Sequence, residues 1–242
     1  MPYLKTKNLS REFNNQTAVD SLDLSLDKGE ILGLLGPNGA GKSTTLQMLT
    51  GCLQPSAGQV EVMGKPLHTD RSLQKHIGYL PERPPLHDSF TVHEQLDYAA
   101  KLYSLNKTER EQRCKTVIQL CELQGVDKKI IGELSKGFRQ RVGIAQALVH
   151  DPEIIILDEP TDGLDPMQMQ SLRKLIAQLG ENHAVLLSSH LLNEVETICN
   201  RVIILHQGRQ LFNEHIDKLK ASGETLESIF TRLIFHDGEA AA

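Results

Sequence analysis

The chain has 242 residues, enough for one large domain or two small ones. A hydrophobic content of 39% and a charged content of 24% describe an ordinary globular protein, and a net charge of −5 gives no general basic footprint for nucleic acid. Apolar runs such as Ile154 to Leu157 are as short as strands, far below the ~18 residues of a membrane helix. Met1 to Lys5 lacks the apolar core of a signal peptide, so we expect a cytosolic protein.

Cysteine and histidine spacing gives no sign of a metal site. The cysteines form no C-x-x-C pair, and the ten histidines show no ligand spacing. We therefore expect reduced thiols at Cys52, Cys114, Cys121 and Cys199.

The N-terminal segment is predicted to form two strands. Tyr3 to Leu9 is the first, and Leu22, Leu24 and Leu26 alternate with polar residues as in a half-buried strand. Between them, Phe13 lies in a polar turn of a chain that has only 4% aromatic residues. Its ring could stack on a nucleobase or pack beneath its own loop, and the residues alone leave both interpretations open.

An apolar strand, Ile31 to Leu35, then leads into a glycine-rich loop. The loop fits the phosphate-binding pattern G-x-x-x-x-G-K-[ST] without a mismatch and precedes a predicted helix, Thr45 to Leu49. Its residues are Gly36, Pro37, Asn38, Gly39, Ala40, Gly41, Lys42, Ser43 and Thr44.

The chemistry of a triphosphate explains this composition. Glycines let the backbone curl so that consecutive N–H groups point at phosphate oxygens, and the next helix adds its free N–H groups. Lys42 adds a positive charge, and the Ser43 hydroxyl can ligate Mg²⁺. The loop therefore predicts that the chain binds a nucleoside triphosphate.

The elements after this loop divide the chain. Strands are predicted at Gln59 to Met63 and His76 to Leu80, and the proline-rich Pro81 to Pro85 is the best candidate for a subdomain boundary. Capping boxes, Thr91 with Glu94 and Thr108 with Glu111, predict helices to about Leu102 and Leu123. Further strands are predicted at 154–157, 184–187, 201–205 and 210–213, and further helices at 167–179, 191–199, 215–220 and 226–233.

We thus predict an α/β core of residues 1–85 and 151–213 that is interrupted by a helical insertion of residues 86–150. Residues 214–242 are predicted to hold two short helices and a disordered tail from Gly238 to Ala242.

Two acidic residues follow the continuous apolar strand Ile154 to Leu157, which is typical of a strand buried on both faces of a parallel sheet. Ligands of such sheets lie at the carboxyl ends of the strands. Asp158 can hold Mg²⁺ through water, and Glu159 can orient or deprotonate the water that attacks the γ-phosphate.

A second anion site is one interpretation of Leu134 to Arg141. Ser135 is a predicted N-cap and Gly137 lies in the first turn of a helix that continues through Leu148. From the residues alone, an ordinary capped helix is the favoured interpretation.

The motifs together resemble those of the ATP-binding-cassette (ABC) ATPases, along nearly the whole chain. The phosphate loop, Leu134 to Gln140 and Asp158-Glu159-Pro160-Thr161 occur in that family's order. The family signature is usually Leu-Ser-Gly-Gly-Gln, whereas here Lys136 replaces one Gly and Phe138-Arg139 precede the Gln. This variant is similar to the branch that exports drugs, polysaccharides or lipids.

The resemblance implies a P-loop NTPase core with an antiparallel β subdomain and an inserted α-helical subdomain. Phe13 matches the aromatic residue that stacks on the base, and Glu82 stands where a Gln normally contacts Mg²⁺ and the attacking water. His190 matches a histidine that contacts the γ-phosphate, and Gly163-Leu164-Asp165 matches a loop that crosses to a second subunit.

The same resemblance implies partners. Two copies would pair head to tail, so that Ser135 and Gly137 of one copy close on the ATP held by Lys42 of the other. A membrane-spanning permease on a separate chain would place the protein at the cytoplasmic face of the membrane. The alternative is a soluble ABC ATPase acting on ribosomes or DNA. A single cassette, the lack of room for a long coiled coil, and the net charge of −5 all disfavour it.

Overall fold

The computed structural model describes residues 1–240, which form two β-sheets and eight α-helices. The strands are β1 (Leu4–Phe13), β2 (Gln16–Leu22), β3 (Ser25–Leu26), β4 (Ile31–Leu35), β5 (Ala57–Val62), β6 (Lys65–Pro66), β7 (Ile77–Leu80), β8 (Ile154–Leu157), β9 (Ala184–Ser189), β10 (Arg201–His206) and β11 (Arg209–His215). The helices are α1 (Lys42–Leu49), α2 (Val92–Leu102), α3 (Lys107–Leu120), α4 (Lys136–Leu148), α5 (Pro166–Gly180), α6 (Leu192–Ile198), α7 (Ile216–Ser222) and α8 (Leu226–Ala240).

The larger sheet carries the candidate site at one edge. Its order is β11-β10-β4-β9-β8-β7, with all neighbours parallel except β10 and β11. The packing of β8 explains why its sequence is entirely apolar. Ile154 and Ile156 pack into one hydrophobic core, and Ile155 and Leu157 pack into the other. A strand with a core on each face has no solvent side and therefore no polar alternation.

The smaller, antiparallel sheet corrects one predicted strand. Its order is β2-β1-β5-β6, and β3 also pairs with β1. The alternating leucines belong to two strands: Leu22 ends β2, and Leu26 lies in β3. The break is stabilised by Thr6, whose buried hydroxyl donates to Leu22 O and accepts from Leu24 N, both at 2.8 Å.

A tight hairpin places Phe13 differently from the prediction. Strand β1 continues through Phe13, which pairs with Gln16 across a two-residue turn. The turn residues, Asn14 and Asn15, have φ angles of 45° and 65°. Asparagine tolerates this left-handed conformation, which two-residue hairpins require. Phe13 is therefore fixed at a strand end and does not lie in the turn itself.

The helices between β7 and β8 confirm one predicted capping box and correct the other. Thr91 and Glu94 cap α2 reciprocally, as predicted. Helix α3 begins two residues earlier than predicted, with Asn106 and Glu109 as its box, and ends at Leu120. Asn106 is as good an N-cap as Thr108, so the sequence offered two possible starts for this helix, two residues apart.

The C-terminal helices also depart from the sequence prediction. Helix α8 continues to Ala240, so Gly238 to Ala240 are helical, while the remaining predicted tail residues, Ala241 and Ala242, lie outside the described residues. One glycine costs a helix only about 1 kcal/mol, which good helix formers around it can offset. None of the helices among residues 1–240 combines the length and apolar composition that crossing a bilayer requires.

Candidate active site

The phosphate loop lies between β4 and α1, at the carboxyl end of the parallel sheet. Gly39 and Gly41 have φ angles of 81° and 100°, which side-chain-bearing residues rarely adopt. At Gly36 the reason is space, because an added Cβ would lie 2.4 Å from Leu205 O. An added Cβ at Gly41 would lie 2.4 Å from Ala18 O. The loop thus needs glycine for its conformation and for close packing.

Lys42 is held at the floor of this loop. Its ammonium donates to Gly36 O at 2.8 Å and to Pro37 O at 3.4 Å. Its Nζ also lies 3.2 Å from Glu159 Oε1, and the Lys42 side chain is only 6% exposed. A buried cation with carbonyl and carboxylate partners is rigidly placed for an anion that enters the loop.

The loop opens into a cavity of about 390 Å³ that collects residues from distant parts of the chain. Glu82, Glu159 and His190, all named from the sequence, contribute to its wall. Ala18 and Asp162 line it as well, and the sequence analysis did not single them out. The lining residues are Ala18, Asn38, Gly39, Ala40, Gly41, Lys42, Ser43, Thr44, Glu82, Glu159, Asp162 and His190.

The acidic pair follows β8, as predicted. Asp158 is 2% exposed, and burial raises the pKa of its carboxyl, with smaller contributions from the charges of Glu159 and Glu82. Hydrogen bonds from Ser188 and Ser43 oppose that rise in pKa. Ser188 Oγ donates to Asp158 Oδ1 at 2.6 Å and accepts from the Glu159 N–H at 2.9 Å.

Ser188 was missed by the sequence analysis. It directly follows the predicted strand 184–187 and lies near the carboxyl end of β9, and only the pairing of β8 with β9 brings it to the acidic pair.

Glu159 and His190 are joined directly. His190 Nδ1 lies 2.9 Å from Glu159 Oε2, while the other carboxylate oxygen faces Lys42. Glu159 has a φ of 46°, a left-handed conformation that is costly for a residue with a side chain. The strained backbone turns this carboxylate into the cavity between a cation and an imidazole.

The residues present fit a Mg²⁺ ion that is shared with a bound phosphate. Mg²⁺ prefers oxygen ligands and is usually held by one or two carboxylates with substrate phosphates and water. Ser43 and Asp158 are hydrogen-bonded to each other, and Glu82 is close enough to influence the pKa of Asp158. The described residues contain no cluster of three or more His, Cys, Asp or Glu residues that could hold a metal without such a phosphate.

Phe13 lies away from the residues that line the cavity. Its side chain is 41% exposed, and the Arg11 guanidinium covers one face of the ring at 4.5 Å from the centroid. Arg11 also donates to Gln54 O at 2.9 Å. Arg11 was not singled out from the sequence, although an Arg two residues before an aromatic on one strand face is a detectable signal.

Ser135 and Gly137 also lie outside the walls of this chain's own cavity. Ser135 caps α4 as predicted, with its Oγ accepting from the Phe138 N–H at 3.4 Å. Lys136 forms an ion pair of 3.1 Å with Asp162, which does line the cavity. The start of α4 is therefore tied to the cavity's edge through one charged contact.

The comparisons with known proteins agree with this geometry. Residues 19–162 match the family model described as ABC transporter. The chain is 38% identical to the bacitracin transport ATP-binding protein BcrA of Bacillus licheniformis over 90% of this chain and 71% of that protein. It is 37% identical to the linearmycin resistance ATP-binding protein LnrL of Bacillus subtilis over 86% of this chain and 68% of that protein. The Nod factor export ATP-binding protein I of Burkholderia lata is 34% identical, over 85% of this chain and 68% of that protein.

Solved structures share the whole architecture. The ATP-binding subunit of an ABC transporter superposes with a TM-score of 0.86 at 30% identity, over 96% of this chain and 99% of that one. A dimeric, post-hydrolysis structure of the cassette MJ0796 with ADP and Pi gives 0.80 at 26% identity, over 88% of this chain and 98% of that one. The chain spans only 60% and 64% of two cyanobacterial relatives, from Synechocystis and Nostoc. With its family model, its relatives and its phosphate-loop fold in agreement, the chain belongs to the ABC transporter family as an ATP-binding and ATP-hydrolysing cassette.

Proposed function

We propose that this chain is the ATPase subunit of an exporter whose membrane-spanning part is a separate chain. The observation that carries the proposal is the connected set Lys42, Glu159 and His190 at the mouth of the phosphate loop. The direction of transport is inferred from relatives that are named for bacitracin transport, Nod factor export and linearmycin resistance.

The phosphate loop and its lysine would bind the triphosphate. Backbone N–H groups from Asn38 to Thr44 and the Lys42 ammonium supply donors and positive charge to the β- and γ-phosphates. Phe13, backed by the Arg11 guanidinium, would offer its free face to the base. The cavity's small volume suits the phosphates, with the base lying outside it toward the hairpin.

Ser43, Asp158 and Glu82 would hold Mg²⁺. When bound, Mg²⁺ neutralises charge that develops on the phosphate oxygens. Asp158 is kept in place for this role by the Ser188 hydroxyl at 2.6 Å. Glu82 replaces an amide by a carboxylate, which adds a negative charge beside Asp158.

Glu159 would act on the attacking water. Its carboxylate orients the water and accepts its proton while the new bond to the γ-phosphorus forms and the bond to the ADP oxygen breaks. His190 holds one carboxylate oxygen at 2.9 Å and so fixes the direction of the other. His190 would also contact the γ-phosphate.

Two copies would share each nucleotide. Ser135 is exposed and lies outside its own chain's cavity, so its hydroxyl is available to a second copy, whereas Gly137 is buried beside the Gln168 side chain. The relative MJ0796 has been solved as a dimer. We infer a head-to-tail pair in which Ser135 and Gly137 of one copy close on the ATP bound at Lys42 of its partner.

We further propose that residues 1–85 and 151–213 form the ATP-binding unit. Residues 86–150, with α2 to α4, and the Glu82 loop would relay its state to the permease at the cytoplasmic membrane face. Residues 214–242 form the C-terminal part. The competing function, a soluble cassette acting on ribosomes or DNA, has no specific observation in its favour.

A co-purification experiment tests the transporter role. Tagged Glu159→Gln is trapped with Mg-ATP in cells, membranes are extracted in mild detergent, and the associated proteins are identified. We expect a polytopic membrane protein to accompany the chain. Ribosomal or DNA-associated proteins, with the chain absent from membranes, would contradict the proposal and leave the ATPase activity standing.

A further inference from the structure

A buried carboxylate outside the cavity connects two segments that border it. Glu194 lies in α6 and is 1% exposed. Its Oε2 accepts hydrogen bonds from the Thr161 hydroxyl at 2.7 Å and from the Ser189 hydroxyl at 2.9 Å. Both donors are themselves buried, so water does not compete for these charge-assisted bonds.

Each donor is the chain neighbour of a residue that lines the cavity. Thr161 precedes Asp162, and Ser189 precedes His190. The single Oε2 atom of Glu194 therefore links the segment after Glu159 to the strand end that carries His190, beyond the contacts of Ser188 at the strand ends themselves. Among the residues that the structure describes, no other hydrogen bond of these two hydroxyls links the two segments. Ser189 Oγ otherwise accepts only from the Leu191 N–H, two residues further along the chain.

The other oxygen of Glu194 faces α5. Oε1 lies 3.7 Å from Arg173 Nη2, and within residues 1–240 neither Oε1 nor Arg173 Nε has a hydrogen-bond partner. Buried polar groups without partners cost free energy, so a small shift that brings the two side chains within bonding distance is favoured. Helix α5 begins directly after the segment Asp162–Asp165, and Glu194 thus contacts the chain on both sides of that segment.

We propose that Glu194 is a positioning residue for ATP hydrolysis, an inference that rests on the proposed function. Through Ser189, Glu194 fixes His190 relative to Glu159. Through Thr161 and Arg173, it contacts both ends of the Asp162–Asp165 segment, so a shift of that segment moves its carboxylate. In the proposed dimer that segment faces the second copy. Closure of the dimer therefore acts on His190 through one buried carboxylate.

If this carboxylate had a mainly structural role, its loss would change a different quantity. A group that only holds the core together affects stability, whereas a positioning residue affects the rate of the chemical step more than nucleotide binding. The division between kcat and KM separates these two roles.

The test replaces the Thr161 hydroxyl. Thr161→Val keeps the shape of the side chain and removes the donor, so we expect kcat for ATP to fall about tenfold, because small misplacements near reacting atoms slow catalysis strongly. KM and the directly measured affinity for trinitrophenyl-ATP should change less than twofold. Thr161→Ser keeps the hydroxyl and should recover most of the rate.

Thr6→Val is the matched control. It also removes a buried hydroxyl, one that makes two hydrogen bonds against the single bond of Thr161, but in the antiparallel sheet, so we expect at least as large a loss of stability with unchanged kcat. Equal kcat values for Thr161→Val and Thr6→Val would overturn the proposal. So would a Thr161→Ser variant that is no faster than Thr161→Val.

Failure of the exporter proposal would appear as a different co-purifying partner and would leave these kinetic outcomes unaffected. If the isolated wild-type chain does not turn over ATP, the inference needs a readout that does not depend on activity. The ring-nitrogen NMR signals of His190 then decide the inference without any activity. We expect them to move in Thr161→Val and to stay in place in Thr6→Val. Signals that are unchanged in Thr161→Val contradict a link from Thr161 to His190.

Discussion

Lys42 and Glu159 form an ion pair with 3.2 Å between Nζ and Oε1, and their side chains are only 6% and 12% exposed. The low exposure strengthens the attraction, so the pair is stable until another anion takes the lysine. A γ-phosphate bound by Lys42 is expected to release one oxygen of Glu159 toward water, while His190 keeps the other oxygen in place. We therefore expect phosphate binding and activation of Glu159 as the base to be coupled.

Replacing Glu159 by glutamine separates binding from chemistry. Glu159→Gln keeps the shape of the side chain but cannot accept a proton, so we expect turnover to fall at least about 100-fold while ATP still binds. The variant should accumulate as a closed dimer with Mg-ATP, as measured by size-exclusion chromatography with light scattering. A monomer under these conditions would mean that the isolated chain does not form the head-to-tail dimer around ATP.

Removing the buried lysine should abolish function at the binding step. Lys42→Ala deletes the charge that faces the phosphates and leaves the Gly36 carbonyl without its side-chain donor, while Pro37 O keeps the Ala40 N–H. We expect hydrolysis to fall by about 100-fold or more, a loss typical of removing one preorganised electrostatic group. Lys107→Ala, at an 84% exposed side chain, is the control that should behave as wild type. Unchanged turnover in Lys42→Ala would refute the site assignment.

Phe13 should contribute to nucleotide affinity and not to the chemical step. Stacking of a base on an aromatic ring contributes about 1–3 kcal/mol, so we expect Phe13→Ala to raise KM for ATP about tenfold with kcat little changed. Phe13→Tyr keeps the ring and is the control. Steady-state kinetics measure both constants, and an unchanged KM in Phe13→Ala would place the base elsewhere.

Two glycines of the phosphate loop should respond differently to alanine. At Gly36 an added Cβ meets Leu205 O at 2.4 Å, whereas at Gly39 it meets nothing within 4 Å and only the φ of +81° opposes it. We expect Gly36→Ala to lower the free energy of unfolding by about 3 kcal/mol and Gly39→Ala by about 1 kcal/mol. Urea denaturation measures both, and equal losses would contradict the packing argument.

His150 should make stability depend on pH. Burial beneath Tyr103, whose ring centroid lies 3.6 Å away, lowers the pKa of His150 to about 4, against an ordinary value of 6.5. Between these values the unfolded chain binds the extra proton, so stability is retained above pH 6.5 and lost as the pH falls toward 4. At pH 5 the loss is about 2 kcal/mol.

The measurement compares urea denaturation at pH 7.5 and pH 5 for wild type and His150→Gln. The variant should lose less stability than wild type over this interval. His68→Gln, at an exposed histidine, should keep the wild-type dependence. An identical pH dependence in His150→Gln would mean that other groups determine it.

The sequence by itself determined the parts of this protein whose chemistry is local. The phosphate loop, the strand Ile154 to Leu157 with its acidic pair, and the Ser135 cap depend on neighbours within a few residues. Glycine, β-branched and capping preferences act at that range, so each was readable without the fold. Ambiguity began where two local choices were equivalent, as between Asn106 and Thr108.

Tertiary structure decided the contacts between residues that are far apart in the chain. The Ser188 hydroxyl reaches Asp158 only because β8 and β9 pair in register, and Arg11 reaches Gln54 O only because β1 pairs with β5. Glu194 accepts the hydrogen bond from Thr161 only because α6 packs beside that residue. No local preference encodes these distances, because they result from strand order and burial across the whole sheet.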